Sequence, residues 1–188
     1  MFDPTVFENL KIAFENQLYD LDNVDDVITI IDRKDNLDLA VMSRTWTLTF
    51  ILTQLELDEA PISAEIVLSS SVQDLAGEIL EQEAAYPACN LMLRFHCLID
   101  NPLEQCPKIE HVIRGIWERD MVPRQLLSAL YDNELHPIEG SSIWLPIVYQ
   151  NTIELPFNRR INEDQMEDIE QLIQYTINTL EAVGHAVL

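Results

Sequence analysis

The chain has 188 residues, 47% of them hydrophobic, and carries 33 acidic side chains against 11 basic ones, for a formal net charge of -22. That is enough apolar material to build the core of one domain, while the longest apolar runs fall far short of the roughly 20 residues needed to cross a bilayer. Charge of this sign steers the chain away from phosphate backbones and anionic membranes, which are held through Lys and Arg, and makes a basic protein or peptide the better partner.

The first segment, MFDPTVFENLK, has acids where a secretory leader needs a basic stretch followed by an oily one, so a soluble cytoplasmic protein is expected. Asp3 reads as a helix N-cap with Pro4 in the first turn, and Phe7, Leu10, Phe14 and Leu18 recur at helical spacing. DLDNVDD, residues 20 to 26, ends that helix. VITII (27 to 31) reads as a strand, DRKDN (32 to 36) as a turn and LDLAVM (37 to 42) as a short strand or irregular edge. From about Arg44 to Glu56 runs a long strand in which Trp46, Leu48, Phe50 and Leu52 alternate with Thr45, Thr47 and Thr49. Strict alternation means one buried side and one open to water or a partner. AEIVLSS (64 to 70) reads as a further strand. Such short connections favour antiparallel neighbours.

Ser71 and Asp74 have the spacing of a variant capping box, followed by Val72, Leu75, Ala76, Ile79 and Leu80 as a helical stripe that Tyr86 and Pro87 close. NLMLRFHCLID (90 to 100) alternates like a strand, with Leu91, Leu93, Phe95, Cys97 and Ile99 on one side. Pro107 is expected to open a third helix carrying Ile109, Val112, Ile113, Ile116 and Trp117, and Pro123 a short fourth one carrying Leu126, Leu127 and Leu130. After a polar loop at 131 to 142, residues 143 to 149 and 151 to 157 suggest a hairpin that Pro146 and Pro156 would confine to edges or bulges. Asn162 with Gln165 forms a capping box for a last helix with the stripe Met166, Ile169, Ile173, Ile177 and Leu180, and Gly184 suits its C-terminal stop. The whole chain, 1 to 188, is expected to be one α+β domain: a mainly antiparallel sheet, helices on one face and a long C-terminal helix.

Chemistry-bearing patterns are sparse. Cys89, Cys97 and Cys106 cannot complete a disulfide framework within one chain, and their spacing from His96 and His111 matches no metal motif, so they are expected to pack as small apolar side chains. Counting an EF-hand loop from Asp20 puts Val24 and Asp25 where a ligand and a glycine are needed. No two of the four glycines are close enough for a phosphate loop. No serine is paired with a base by sequence alone, and Asp32 with Lys34 is a weak echo of nuclease sites. No cofactor and no metal are expected.

What stands out is the run of Asp20, Asp22, Asp25, Asp26, Asp32, Asp35 and Asp38, interrupted only by Arg33 and Lys34 among the basic residues. These aspartates are the expected partner-binding residues of a non-enzymatic acidic protein that recognises a basic protein or peptide through acidic loops or an open sheet face. The element order is similar, in arrangement alone, to that of small acidic secretion chaperones. The competing expectation is an enzyme or small-molecule binder with a pocket between sheet and helices lined by Trp117, Trp144 and Tyr149 near His136. Exposed strand edges would also allow a homodimer.

Overall fold

The computed structural model describes residues 5–55, 61–79, 87–117, 121–131 and 146–187. Its elements in chain order are α1 (Val6–Asn23), β1 (Ile28–Asp38), β2 (Ser43–Leu52), β3 (Ser63–Ser70), α2 (Val72–Ile79), β4 (Asn90–Ile99), α3 (Pro102–Ile116), β5 (Arg124–Ser128), β6 (Tyr149–Pro156) and α4 (Ile169–Val187). The six strands form one sheet in the order β1-β2-β3-β4-β6-β5, and every neighbouring pair is antiparallel. This is the expected α+β architecture, with the helices packed on the sheet. None of the described helices is long and apolar enough to cross a membrane.

Alternation places the core. Trp46, Leu48, Phe50 and Leu52 of β2, Ala64, Ile66 and Leu68 of β3, Leu91, Leu93, Phe95, Cys97 and Ile99 of β4, and Ile153 and Leu155 of β6 share one face and belong to one buried cluster. The same cluster takes in Phe7, Leu10, Phe14 and Leu18 of α1, Ile109 and Ile113 of α3, and Ile169, Ile173, Ile177, Leu180 and Val183 of α4. Each such side chain contributes about 1.5–3 kcal/mol when fully buried, so these stripes hold three helices to one side of the sheet. Phe14 stacks at a tilt on Trp46, with ring centroids 6.1 Å apart, and the Trp46 indole donates to Glu15 Oε1 at 2.9 Å.

Several boundaries differ from the sequence reading. Helix α1 begins at Val6, where the Thr5 hydroxyl accepts from the Glu8 amide; Asp3 and Pro4 lie outside the described residues. DRKDN is no turn: residues 32–38 pair with 43–49, because the strand continues through a bulge at Ile31. The bulge resets the alternation, so Arg33 and Asp35 face α1, where acids and a lysine wait for them. The reversal instead occupies Leu39–Met42, with Met42 at φ 52 and the Ala40 amide bound to Asp38 Oδ1.

Helix α3 starts at Pro102, five residues before Pro107, which lies inside it. The Gln105 side chain accepts from the Asp100 and Asn101 amides and so closes the first turn upstream of that proline. Pro123 opens no helix; β5 forms there and pairs with β6, with Leu127 packed against the core and Leu126 exposed. Strand β6 is interior rather than an edge, and Pro156 is tolerated because it is the last residue of that strand. Of the hairpin partner expected at 143 to 149, residues 143–145 lie outside the described residues, while 146–148 form no strand and Tyr149 already opens β6. The Asn162 capping box is present and leads through a 3₁₀ turn into α4, which runs past Gly184 to Val187 instead of stopping at the glycine. The Ser71–Asp74 cap is also present: Asp74 Oδ2 accepts from both the amide and the hydroxyl of Ser71.

Candidate functional site

The seven aspartates singled out by sequence do not form one patch. Asp20 and Asp22 lie in the last turn of α1 and Asp25 and Asp26 in the loop to β1, whereas Asp32, Asp35 and Asp38 are strung along β1. At about 3.3 Å per residue, Asp38 is roughly 40 Å along the chain from Asp26.

Neighbouring charges sort them further. Asp35 is held by Arg44 through two bonds of 2.8 and 2.7 Å and by Lys11 at 3.0 Å. The Arg44 hydrogen bonds are the main reason its carboxyl is pulled down to about 2. Arg44 also pairs with Glu8 and lies 4.7 Å over the Phe7 ring, while Lys11 meets Glu8 at 2.7 Å. Asp35 is therefore a clamp between β1, β2 and α1. Arg33 makes the same kind of link to Glu15, at 2.5 Å. Asp32 pairs with Lys34 on the other face, Asp22 accepts from the Ile30 amide at 3.3 Å, and Asp38 serves its own turn. Asp20, Asp25 and Asp26 have no side-chain partner among the described residues. Exposed Val24, Val27 and Ile31 lie among them, so the α1–β1 corner is both anionic and apolar.

The second face of the sheet is mixed, with a polar row across its middle and Ile51, Val67, Met92 and Leu98 beside it. Register runs one row across all six strands: Asp32, Thr49, Glu65, Arg94, Glu154 and Arg124. Arg94 bridges Glu65 at 3.4 Å and Glu154 at 3.2 Å. His96, one row over, reaches Glu65 with Nε2 at 3.5 Å and the Thr152 hydroxyl with Nδ1 at 3.3 Å. The hydrogen bond to His96, with help from Arg94, keeps Glu65 below the usual carboxylate range despite its burial. A carboxylate, an imidazole and a hydroxyl in line resemble a nucleophilic relay. The backbone amides around them, however, belong to paired ladders of interior strands, and so do not offer the oxyanion donors such chemistry needs. From Glu65 to Arg124 negative and positive groups alternate along the row, so those four largely neutralise one another. Thr47 is buried here with Val67 and Ile51, whereas Thr45 and Thr49 are half-buried.

A feature that sequence reading missed lies at the other end of α4. Trp117, just past α3, meets Phe157 edge-on at 5.8 Å and Tyr175 at a tilt at 5.6 Å, and its indole donates to the buried Thr179 hydroxyl at 2.9 Å. These rings line a cavity of about 570 Å³ together with Ile116, Met121 and Leu172. Asp168, Gln171, Asn158 and Arg159 add polar groups to its lining. Of the residues expected to line a pocket with Trp117, Tyr149 does not line this cavity: it opens β6, whereas Phe157 follows that strand's far end. Trp144 and His136 lie outside the described residues. The available signal was Tyr175, an aromatic off the Ile169–Ile173–Ile177 stripe of its helix.

None of the three cysteines is in a disulfide, and burial pushes the Cys97 thiol up to about 12, which keeps it protonated and unreactive. Among the described residues, no group of three or more His, Cys, Asp or Glu side chains is placed to hold a metal. Comparison with protein-family models, curated proteins and solved structures finds no match to this chain.

Proposed function

We propose that this chain is a non-enzymatic acidic binding protein, chaperone-like in kind, that captures a basic amphipathic protein segment or peptide at the corner between α1 and β1. The observation that carries the reading is the sorting of the aspartates. Along β1, charges are neutralised by Arg44, Lys11 and Lys34, whereas Asp20, Asp25 and Asp26 keep theirs beside exposed Val24, Val27 and Ile31. Unpaired carboxylates next to apolar surface complement a ligand that alternates Lys or Arg with apolar residues. The overall charge of -22 adds long-range attraction for the same ligand.

The test compares the protein with an Asp20→Asn, Asp25→Asn, Asp26→Asn variant in pull-downs from host lysate at low and high salt. Asp22 is left in place because it binds the Ile30 amide, and asparagine suits the positive φ of Asp26. A control variant, Asp100→Asn, Glu170→Gln, Glu181→Gln, has the same net charge. Salt-sensitive recovery of one basic protein, lost in the first variant and kept in the control, supports the reading. Equal recovery by both variants overturns it.

A further inference from the structure

The cavity beside Trp117 shares no residue with the acidic corner, and its lining is specific enough to name a ligand class. Its floor is apolar and aromatic: Ile116, Trp117, Phe157, Leu172 and Tyr175. A volume of about 570 Å³ lies in the range of small-molecule sites. Trp117 is fixed from behind by its bond to Thr179, whose hydroxyl in turn donates to the Tyr175 carbonyl at 2.7 Å. The floor is thus preorganised rather than assembled on demand.

Two opposite charges line the same cavity, Asp168 and Arg159. They do not pair with each other, and neither has an ion-pair partner among the described residues. The adjacent Arg160 behaves differently: it is tied to Asp74 and to the Ala88 carbonyl. A carboxylate and a guanidinium that line one hollow with an aromatic wall, and that form no ion pair with each other, complement a molecule bearing an ammonium, a carboxylate and an apolar tail. A simple organic cation would be attracted by Asp168 but repelled by Arg159, and a simple acid the reverse.

We propose that this cavity is a binding site for a free α-amino acid with a large apolar side chain. Its ammonium is taken by Asp168, its carboxylate by Arg159, and its side chain lies against Trp117, Phe157 and Tyr175.

The probe is L-phenylalanine, titrated into the full chain by calorimetry and by the NMR shift of the Trp117 indole N–H, which Trp117→Phe assigns. Two analogues test the charges on the unaltered protein: phenethylamine lacks the carboxylate and 3-phenylpropionate lacks the ammonium. Two substitutions at exposed positions, Asp168→Asn and Arg159→Gln, test them from the protein side. Saturable binding of L-phenylalanine that weakens about fivefold or more with either analogue and with either substitution supports the site. A smaller loss in any of the four, or no saturable shift up to about 20 mM L-phenylalanine, overturns it. Either result leaves the capture of basic peptides at the acidic corner to its own experiment.

Discussion

At the scale of single residues, Asp35 shows how little a count of acids says about a surface. It looks like one more anion in an acidic run, but Arg44 and Lys11 convert it into a fastener between strand and helix. Because its carboxyl titrates near 2 when folded and near 3.8 when not, the bound anion stabilises the protein above about pH 4, and that contribution is lost as pH falls toward 2. Asp35→Asn is expected to destabilise by roughly 1–2 kcal/mol at pH 7, with the gap from the parent closing between pH 4 and 2. Urea unfolding across that interval checks it. Asn151 is a second case: wholly buried on β6, it donates to Gln125, whose amide in turn donates to the Cys106 carbonyl. That chain of donors fixes the amide so that Asn151 Oδ1 has no hydrogen-bond partner among the described residues. Its sequence neighbours gave no hint that an amide would replace an apolar residue there.

At the scale of elements, hydrophobic period was a sound guide wherever a segment had one buried side. The Leu91–Ile99 alternation of β4 and the α4 stripe lie as their spacing implied, whereas in β2 the Trp46 side is buried as expected but Thr47 and Ile51 on the opposite side are buried too. The failures have physical causes that local pattern cannot carry. In β1 the bulge at Ile31 moves charged residues to the helix side, and those charges are satisfied by α1, far away in sequence. In β5 a leucine pair at helical spacing is overruled by the unpaired edge of β6. Pro107 fits inside a helix already begun by the Gln105 side chain. The acidic run was legible as composition, but not its division into clamped and unclamped members, which depends on cross-strand register. The Trp117 cavity was invisible because its walls come from α3, α4 and the turn after β6. Gly184 supplies a direct check. It lies within α4, and an added Cβ would sit 3.7 Å from Ile62 Cδ1, an ordinary contact. Gly184→Ala should therefore stabilise by about 0.5–1 kcal/mol; a lower melting temperature would mean the helix ends at the glycine after all.

Across the whole molecule, the excess of 22 negative charges opposes compaction. Raising NaCl from about 20 to about 500 mM screens that repulsion, so the melting temperature should rise by several degrees; a fall would show that the clamps around Arg44 and Arg94 outweigh the general field. The two ends of the sheet are also unequal. Strand β1 carries a bulge and four consecutive charged residues, Asp32 to Asp35, which discourage edge-to-edge pairing. Strand β5 has exposed Leu126, with Leu130 just beyond it. Should the chain form a homodimer through an edge, β5 is the one to use, and Leu126→Lys is expected to return a monomeric mass in sedimentation.

The strand order has a consequence for synthesis. Strand β6 lies between β4 and β5, both of which leave the ribosome before it. Until residues 149–156 emerge, β5 lacks its β6 partner and the growing sheet ends at β4, with a row of amides and carbonyls open to water or a nascent-chain chaperone. A ribosome stalled short of Tyr149 would thus hold an unfinished, adhesive half-sheet, and only the synthesis of β6 seals it.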